Sequence, residues 1–228
     1  MGVAVRRARK DAGMEGWLAR WYARTRRKDA TDIGGQAEAV AARLGGRGDV
    51  LEVAPGPGYF AIELARRGDF RISGLDISRT MVGIAAANAA RAGVRIDFHQ
   101  GNAAAMPFAD ATFDFVYCAA AFKNFAEPVK ALDEMHRVLR PGGEAVIADL
   151  RKDVPIEEID AYVRQSGRNA IDAWVTRQAF RRMLIGRAYT REAFERMAAE
   201  SRFGGCGIET ASIGLTVRLA KAGEAPGS

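Results

Sequence analysis

The chain has 228 residues, 48% of them hydrophobic and 27% charged, with a formal net charge of +6. That length holds one complete α/β domain with a large core and excludes two generous ones. The composition is ordinary for a globular protein, and no apolar run is long enough to span a bilayer.

Much of the basic excess lies at the start: Arg6, Arg7, Arg9 and Lys10, then Arg20, Arg24, Arg26, Arg27 and Lys28. A solvated tail and helix face accounts for it, with docking of nucleic acid or an anionic substrate as the alternative. Two cysteines (Cys118, Cys206) and two histidines (His99, His136) match no metal spacing. The expectation is a reduced cytoplasmic protein without a metal. The Arg-rich start lacks the apolar segment of a secretory signal. Met14 is a candidate translation start, because the residues before it are polar and carry no core pattern. Intact mass of natively expressed protein beginning at Met1 would exclude that start. The expected organisation is a disordered basic tail over 1–13, a single domain over 14–221 and a flexible tail over 222–228.

Residues 14–28 read as a helix whose Trp17, Leu18, Trp21 and Tyr22 form an aromatic stripe, to pack on the core or to lid a pocket. A polar break over Asp29–Gly35 precedes a second helix ending at Gly45-Gly46. Val50, Leu51 and Val53 form a buried strand; Ala54-Pro55-Gly56-Pro57-Gly58 is a turn; Phe60, Leu64 and Ala65 mark a helix. Glycines there let the backbone approach a ligand, and the N–H groups of a first helical turn favour a carboxylate or phosphate. Phe70–Asp76 is a second strand, and Ser78 caps a helix to about Arg91, closed by Gly93. Further strands fall at Val94–Phe98, Phe113–Cys118 and Glu144–Leu150, with a helix at Pro128–Leu139 stopped by Pro141-Gly142-Gly143. Residues 151–189 break the alternation as a helical insertion. Thr190 resembles a helix cap, and Gly207–Thr210 with Ile213–Leu219 would close the sheet as a hairpin. Strands alternating with helices give a mostly parallel sheet covered on both faces, with ligands beyond the carboxyl ends of its strands. Ala54–Gly58, Asp76, Asn102 and Cys118–Asn124 all fall at that edge.

Gly56-Pro57-Gly58-Tyr59-Phe60-Ala61 satisfies the dinucleotide pattern, with Asp76 at the distance of a ribose-binding acid. Glu52 inside the first strand, Asn102 after the third and the run from Met106 to Gly143 have no counterpart in that fingerprint. Together they resemble the class I S-adenosylmethionine-dependent methyltransferases, in the type 11 branch that includes quinone-biosynthesis C-methyltransferases. The resemblance is close over about Asp49 to Leu150 and loose elsewhere. It implies a Rossmann-like seven-stranded sheet in the order 3-2-1-4-5-7-6, the seventh strand antiparallel, with N-terminal helices over 14–46 and a helical lid over 151–189.

The first family motif, acid-x-Gly-x-Gly-x-Gly, is matched by Glu52 through Gly58, with Ala54 in place of the first glycine. The resemblance implies that Gly56 and Gly58 let the methionine part of the cofactor lie on the backbone, and that Glu52 accepts from its ammonium group. Asp76 would offer two oxygens to the ribose diol. Ile77 and Ala103 would sandwich the adenine while Asn102, where the family more often has Asp, bonds its edge. Pro55, Tyr59, Met81 and Ala119 complete the expected cofactor contacts. Asp114, His99 and His136 read as structural.

Methyl transfer is a displacement at a sulfonium with a good leaving group, so a protein mainly supplies alignment and exclusion of water. The acceptor would be a small organic molecule, phenolic or acidic, methylated at O, N or C. Trp17, Trp21, Tyr22, Phe122, Tyr162 and Trp174 are the candidates to line its pocket, with Arg164, Arg168, Arg181 and Arg182 near by in sequence. The loop Phe122–Phe125 lacks the histidine many relatives carry there, which argues against a histidine base; the catalytic residue is left unassigned, with Lys123 and Asn124 as candidates. An RNA or protein methyltransferase docking through the basic N-terminus is the alternative, as is a non-catalytic S-adenosylmethionine binder. The Asn/Asp-Pro-Pro-aromatic motif of amino-group DNA methyltransferases and the Tyr-x-x-x-Lys of dehydrogenases are both absent.

Overall fold

A computed structural model describes residues 13–26, 30–165 and 185–223. Its strands are β1 (Arg47–Val53), β2 (Asp69–Asp76), β3 (Asp97–Gln100), β4 (Phe113–Ala119), β5 (Leu139–Leu150), β6 (Gly207–Ala211) and β7 (Gly214–Ala220). Helices among the described residues are α1 (Gly16–Arg26), α2 (Ala30–Arg43), α3 (Tyr59–Ala65), α4 (Arg79–Ala92), α5 (Pro128–Val138), α6 (Ile156–Gln165) and α7 (Arg191–Glu200). The strands form one sheet in the order β3-β2-β1-β4-β5-β7-β6, with β7 antiparallel to both β5 and β6. This is the Rossmann-like order, with helices on both faces.

The chain divides into two compact units, one of residues 1–107 and 124–127, the other of 108–123 and 128–228. In the first, β1 pairs in parallel with β2, and β2 with β3. Val50, Leu51 and Val53 are buried, so the apolar run of β1 forms the centre of this unit's core. α2 rests on α3 through buried Ile33, Ala37, Val40 and Ala41. That packing extends α2 back to Ala30 and overrides Gly34 and Gly35, where a polar break was expected. β3 is also displaced from its expected place. The α4 helix ends on Gly93 at φ +70°, and the Val94 N–H bonds back to the Ala89 carbonyl, so Val94 belongs to the helix cap.

Ser78 caps α4 by accepting from the Met81 N–H at 3.0 Å. A second device was not visible in the sequence. The Glu15 carboxylate accepts from the Arg79 and Thr80 N–H groups, and the Ser78 hydroxyl donates to the Met14 carbonyl at 2.6 Å. A carboxylate there complements the positive end of the helix dipole. The Thr80 hydroxyl also donates to this carboxylate and is the main cause holding the Glu15 carboxyl below its ordinary pKa. The start of α1 is thereby fastened to the first turn of α4. α1 turns Ala19 and Ala23 inward, while Trp17 and Trp21 are 75% and 58% exposed. The expectation that the aromatic stripe packs on the core is therefore corrected: two small alanines give the closer approach.

In the second unit β4 and β5 are parallel, with a register shift: Phe113 faces Leu139 but Phe115 faces Glu144. Pro141-Gly142-Gly143, expected to separate helix from strand, is this irregularity inside β5, and Gly142 takes φ +80°. Thr190 caps α7, accepting from the Ala193 N–H at 3.2 Å. β6 and β7 join through Ser212 at φ +46°. The expected insertion is helical over α6; Ile171, Trp174, Val175, Phe180, Met183 and Leu184 lie outside the described residues, as do Arg168, Arg181 and Arg182.

Ala54 occupies φ +57°, the left-handed region that costs a Cβ-bearing residue about 1–2 kcal/mol. Ala54→Gly is expected to stabilise the fold by about 0.5–1 kcal/mol, the relief being partly offset by glycine's greater entropy when unfolded. Urea denaturation with an unchanged m-value checks it.

Candidate active site

The loops after β1, β2 and β3 lie in the first unit and meet around one cleft. Gly58 takes φ +77°, and a Cβ there would lie 3.0 Å from Phe98 and 3.1 Å from Ala85. Both facts require glycine, which leaves α3 without a side-chain cap. Glu52 compensates: its Oε2 accepts from the Ala61 N–H at 3.1 Å. The turn is closed by Gly58 N–H on the Pro55 carbonyl and stapled to α4 by Asn88, whose Nδ2 donates to the Pro57 carbonyl at 2.8 Å.

Glu52 is 4% exposed, and burial pushes its carboxyl up to about 8. The Ala61 hydrogen bond opposes that rise and the charge of Asp76 adds to it. Asp76 ends β2 and is 7% exposed. Its Oδ2 accepts from Gly56 N–H at 3.1 Å and its Oδ1 from Ser78 N–H at 2.8 Å. Burial raises its pKa too, against those two bonds. Each oxygen keeps a further lone pair, so the carboxylate can still accept from two vicinal hydroxyls. A carboxylate aimed by two backbone N–H groups is well held for that task.

A cleft is lined by Val53, Ala54, Leu75, Ile77, Gly101, Asn102, Ala103 and Phe125. Its lining side chains are apolar apart from the carboxamide of Asn102. Asn102 Oδ1 accepts from the Ala104 N–H at 2.9 Å, so this side chain also builds its own turn. Phe125 was not among the residues expected at the site. The aromatic density of Phe122–Phe125 was legible, but which ring faced the cleft was not.

Other expected residues are placed as follows. Met81 is buried on α4, and Pro55 is buried in the turn. Tyr59 donates its hydroxyl to the Ala23 carbonyl at 3.0 Å, which ties α3 to α1. Ala119 ends β4 in the second unit and is half-buried. Phe122 is corrected: it is fully buried, with its ring 5.2 Å from Phe194 and 6.1 Å from Tyr189, and serves core packing. Trp17 and Trp21 point outward on α1; Tyr22 is half-buried, and Tyr162 is 38% exposed on α6. Trp174 lies outside the described residues.

Lys123 is buried in the second unit. Its Nζ donates to Asp149 Oδ1 at 2.7 Å and to the Ala120 carbonyl, and its backbone N–H donates to Asp149 Oδ2 at 3.0 Å. The ammonium is thus held between a carboxylate and a backbone carbonyl inside this unit. Asn124 sits in the neighbouring turn, half-buried. Asp114 pairs with Arg140 at 2.7 Å, and the His136 ring stands edge-on to Phe203, both structural roles. Among the described residues no cluster of His, Cys, Asp or Glu could hold a metal ion.

Residues 50–143 match the family model of a methyltransferase domain. The sheet order is that of the Rossmann-like methyltransferase fold. The chain is 44% identical over 101 residues to the demethylmenaquinone methyltransferase of Deinococcus radiodurans, covering 44% of this chain and 42% of that protein. It is 42% identical over 107 residues to the ubiquinone/menaquinone biosynthesis C-methyltransferase of Geobacter sulfurreducens, covering 45% and 41%. The matched segment thus spans less than half the length of these curated relatives. Among solved structures, a putative S-adenosylmethionine-dependent methyltransferase of Methanococcus maripaludis superposes at TM-score 0.69, covering 91% of this chain and 94% of that one at 22% identity. A putative methyltransferase of Bacillus halodurans gives TM-score 0.58 at 26% identity, covering 79% and 71%.

Proposed function

We propose that this protein transfers the methyl group of S-adenosylmethionine to a small, hydroxyl-bearing aromatic acceptor of the quinol type. The observation that carries the cofactor half is the convergence of Glu52, Asp76 and the Ile77–Phe125 cleft on one edge of one unit. Asp76 accepts from the two ribose hydroxyls. Ile77, Ala103 and Phe125 contact the adenine faces, and Asn102 meets its polar edge. Glu52 accepts from the amino group of the methionine part. When bound, the cofactor supplies an electrophilic methyl on a sulfonium.

The chain's own contribution is then alignment and dryness, which for a good leaving group supplies most of what the reaction needs. Lys123 takes no part as a base, since its ammonium is held by Asp149. A quinol acceptor is supported by what the curated relatives are named for, and it fits an electron-rich ring that reacts without a strong protein base.

The test is transfer of isotope from methyl-labelled S-adenosylmethionine to a panel of hydroquinones, simple phenols, RNA and protein. Labelled hydroquinone is the expected product. Label found only in RNA or protein would overturn the acceptor class.

A further inference from the structure

We propose that the outward face of α1 docks on an anionic lipid surface. The helix GWLARWYARTR holds three arginines and no acid. Its inner side is Ala19 and Ala23, buried, and its N-terminal end is fastened to α4 through Met14, Glu15 and Gly16. At 100° per residue the direction opposite those alanines is that of Trp21, with Trp17 beside it and Leu18 on one flank. All three are open, at 58%, 75% and 41% exposure. Arg20 and Arg24, also exposed, fall together on the other flank.

Two exposed tryptophans on one turn of helix are a large apolar surface for a chain to leave in water. Tryptophan and leucine flanked by arginine is the chemistry of a helix lying in the headgroup plane. The rings enter the acyl boundary while the guanidinium groups pair with phosphate. A buried protein partner would need acids to meet Arg20 and Arg24; a bilayer rich in anionic headgroups provides the opposite charge over the whole face. No described helix is long and apolar enough to cross the membrane, so the contact is peripheral. This reading is independent of which acceptor is methylated.

The experiment is co-sedimentation of the full chain with vesicles of phosphatidylglycerol and phosphatidylcholine, against phosphatidylcholine alone, at low salt. Binding to the anionic vesicles is expected. Arg20→Gln with Arg24→Gln is expected to weaken it about 30-fold, taking about 1 kcal/mol for each arginine at the surface, and the difference fades at high salt. Trp17→Ser with Trp21→Ser is expected to weaken it by about tenfold or more. In a Trp174→Phe background the remaining tryptophan emission shifts to the blue on binding. Circular dichroism melts establish that each variant is folded. Absence of binding to anionic vesicles, or binding untouched by both double variants because other cations such as Arg6–Lys10 carry it, would overturn the proposal. So would self-association of the lipid-free chain that the tryptophan variant abolishes.

Discussion

Lys123→Ala is expected to destabilise the protein by about 3–5 kcal/mol, the usual cost of removing one partner from a buried ion pair. For a domain of this size that is a fall in Tm of roughly 6–20 °C. The Lys123 and Asp149 side chains are 4% and 1% exposed, and Asp149 accepts from the Lys123 ammonium, the Lys123 backbone N–H and the Leu150 N–H. Removing the ammonium leaves a carboxylate in the interior with only two backbone donors. The pair also fixes the turn after β4, in which Ala120 is held at φ +56°. Lys123→Met with Asp149→Leu, which removes both charges, is expected to recover most of the loss. Urea and thermal denaturation read both variants. A loss below about 1 kcal/mol for Lys123→Ala would contradict a buried, committed pair.

The second large effect is a pH dependence of stability carried by Glu52. Its carboxyl is raised from 4.5 unfolded to about 8 folded, chiefly by burial, with Asp76 adding to the rise. The folded state therefore holds the proton more tightly. The stabilisation is complete below about 4.5, where both states are protonated, and is lost as pH rises to 8. Over that window the slope approaches about 1.4 kcal/mol per pH unit, and the whole loss is at most about 5 kcal/mol. Asp76, also raised by burial, works in the same direction. Glu52→Gln is expected to flatten the profile, and chemical denaturation at several pH values measures it. The same carboxyl links to the cofactor: an ammonium beside Glu52 favours its ionised form, so binding near neutral pH is expected to release a proton into the buffer.

The parts of this site that depend on backbone pattern were legible in the sequence. A buried strand, a turn with obligatory glycines and an acid closing the next strand are local features, and each leaves a mark in residue type. The Ser78 and Thr190 caps are similarly local. What was not legible depended on which side of an element faced inward. Phe122 and Phe125 are three residues apart with a 3-10 turn over Phe122–Asn124 between them, and composition does not say which ring enters the core. Trp17 and Trp21 have the spacing of a core stripe, yet Ala19 and Ala23 made the closer contact. Lys123 in a loop reads as a candidate catalyst until Asp149, distant in sequence, is found against it. The Glu15 clasp on α4 joins residues far apart in sequence and carries no local signal.

The cofactor assignment is tested most directly by calorimetric titration of the wild type and Asp76→Ala with S-adenosylhomocysteine and with NAD. Wild type is expected to bind S-adenosylhomocysteine and give no heat with NAD. Loss of two charge-assisted bonds to the ribose is expected to weaken S-adenosylhomocysteine binding roughly 100-fold or more in Asp76→Ala. Binding of NAD by the wild type, or S-adenosylhomocysteine binding that Asp76→Ala leaves unchanged, would contradict it.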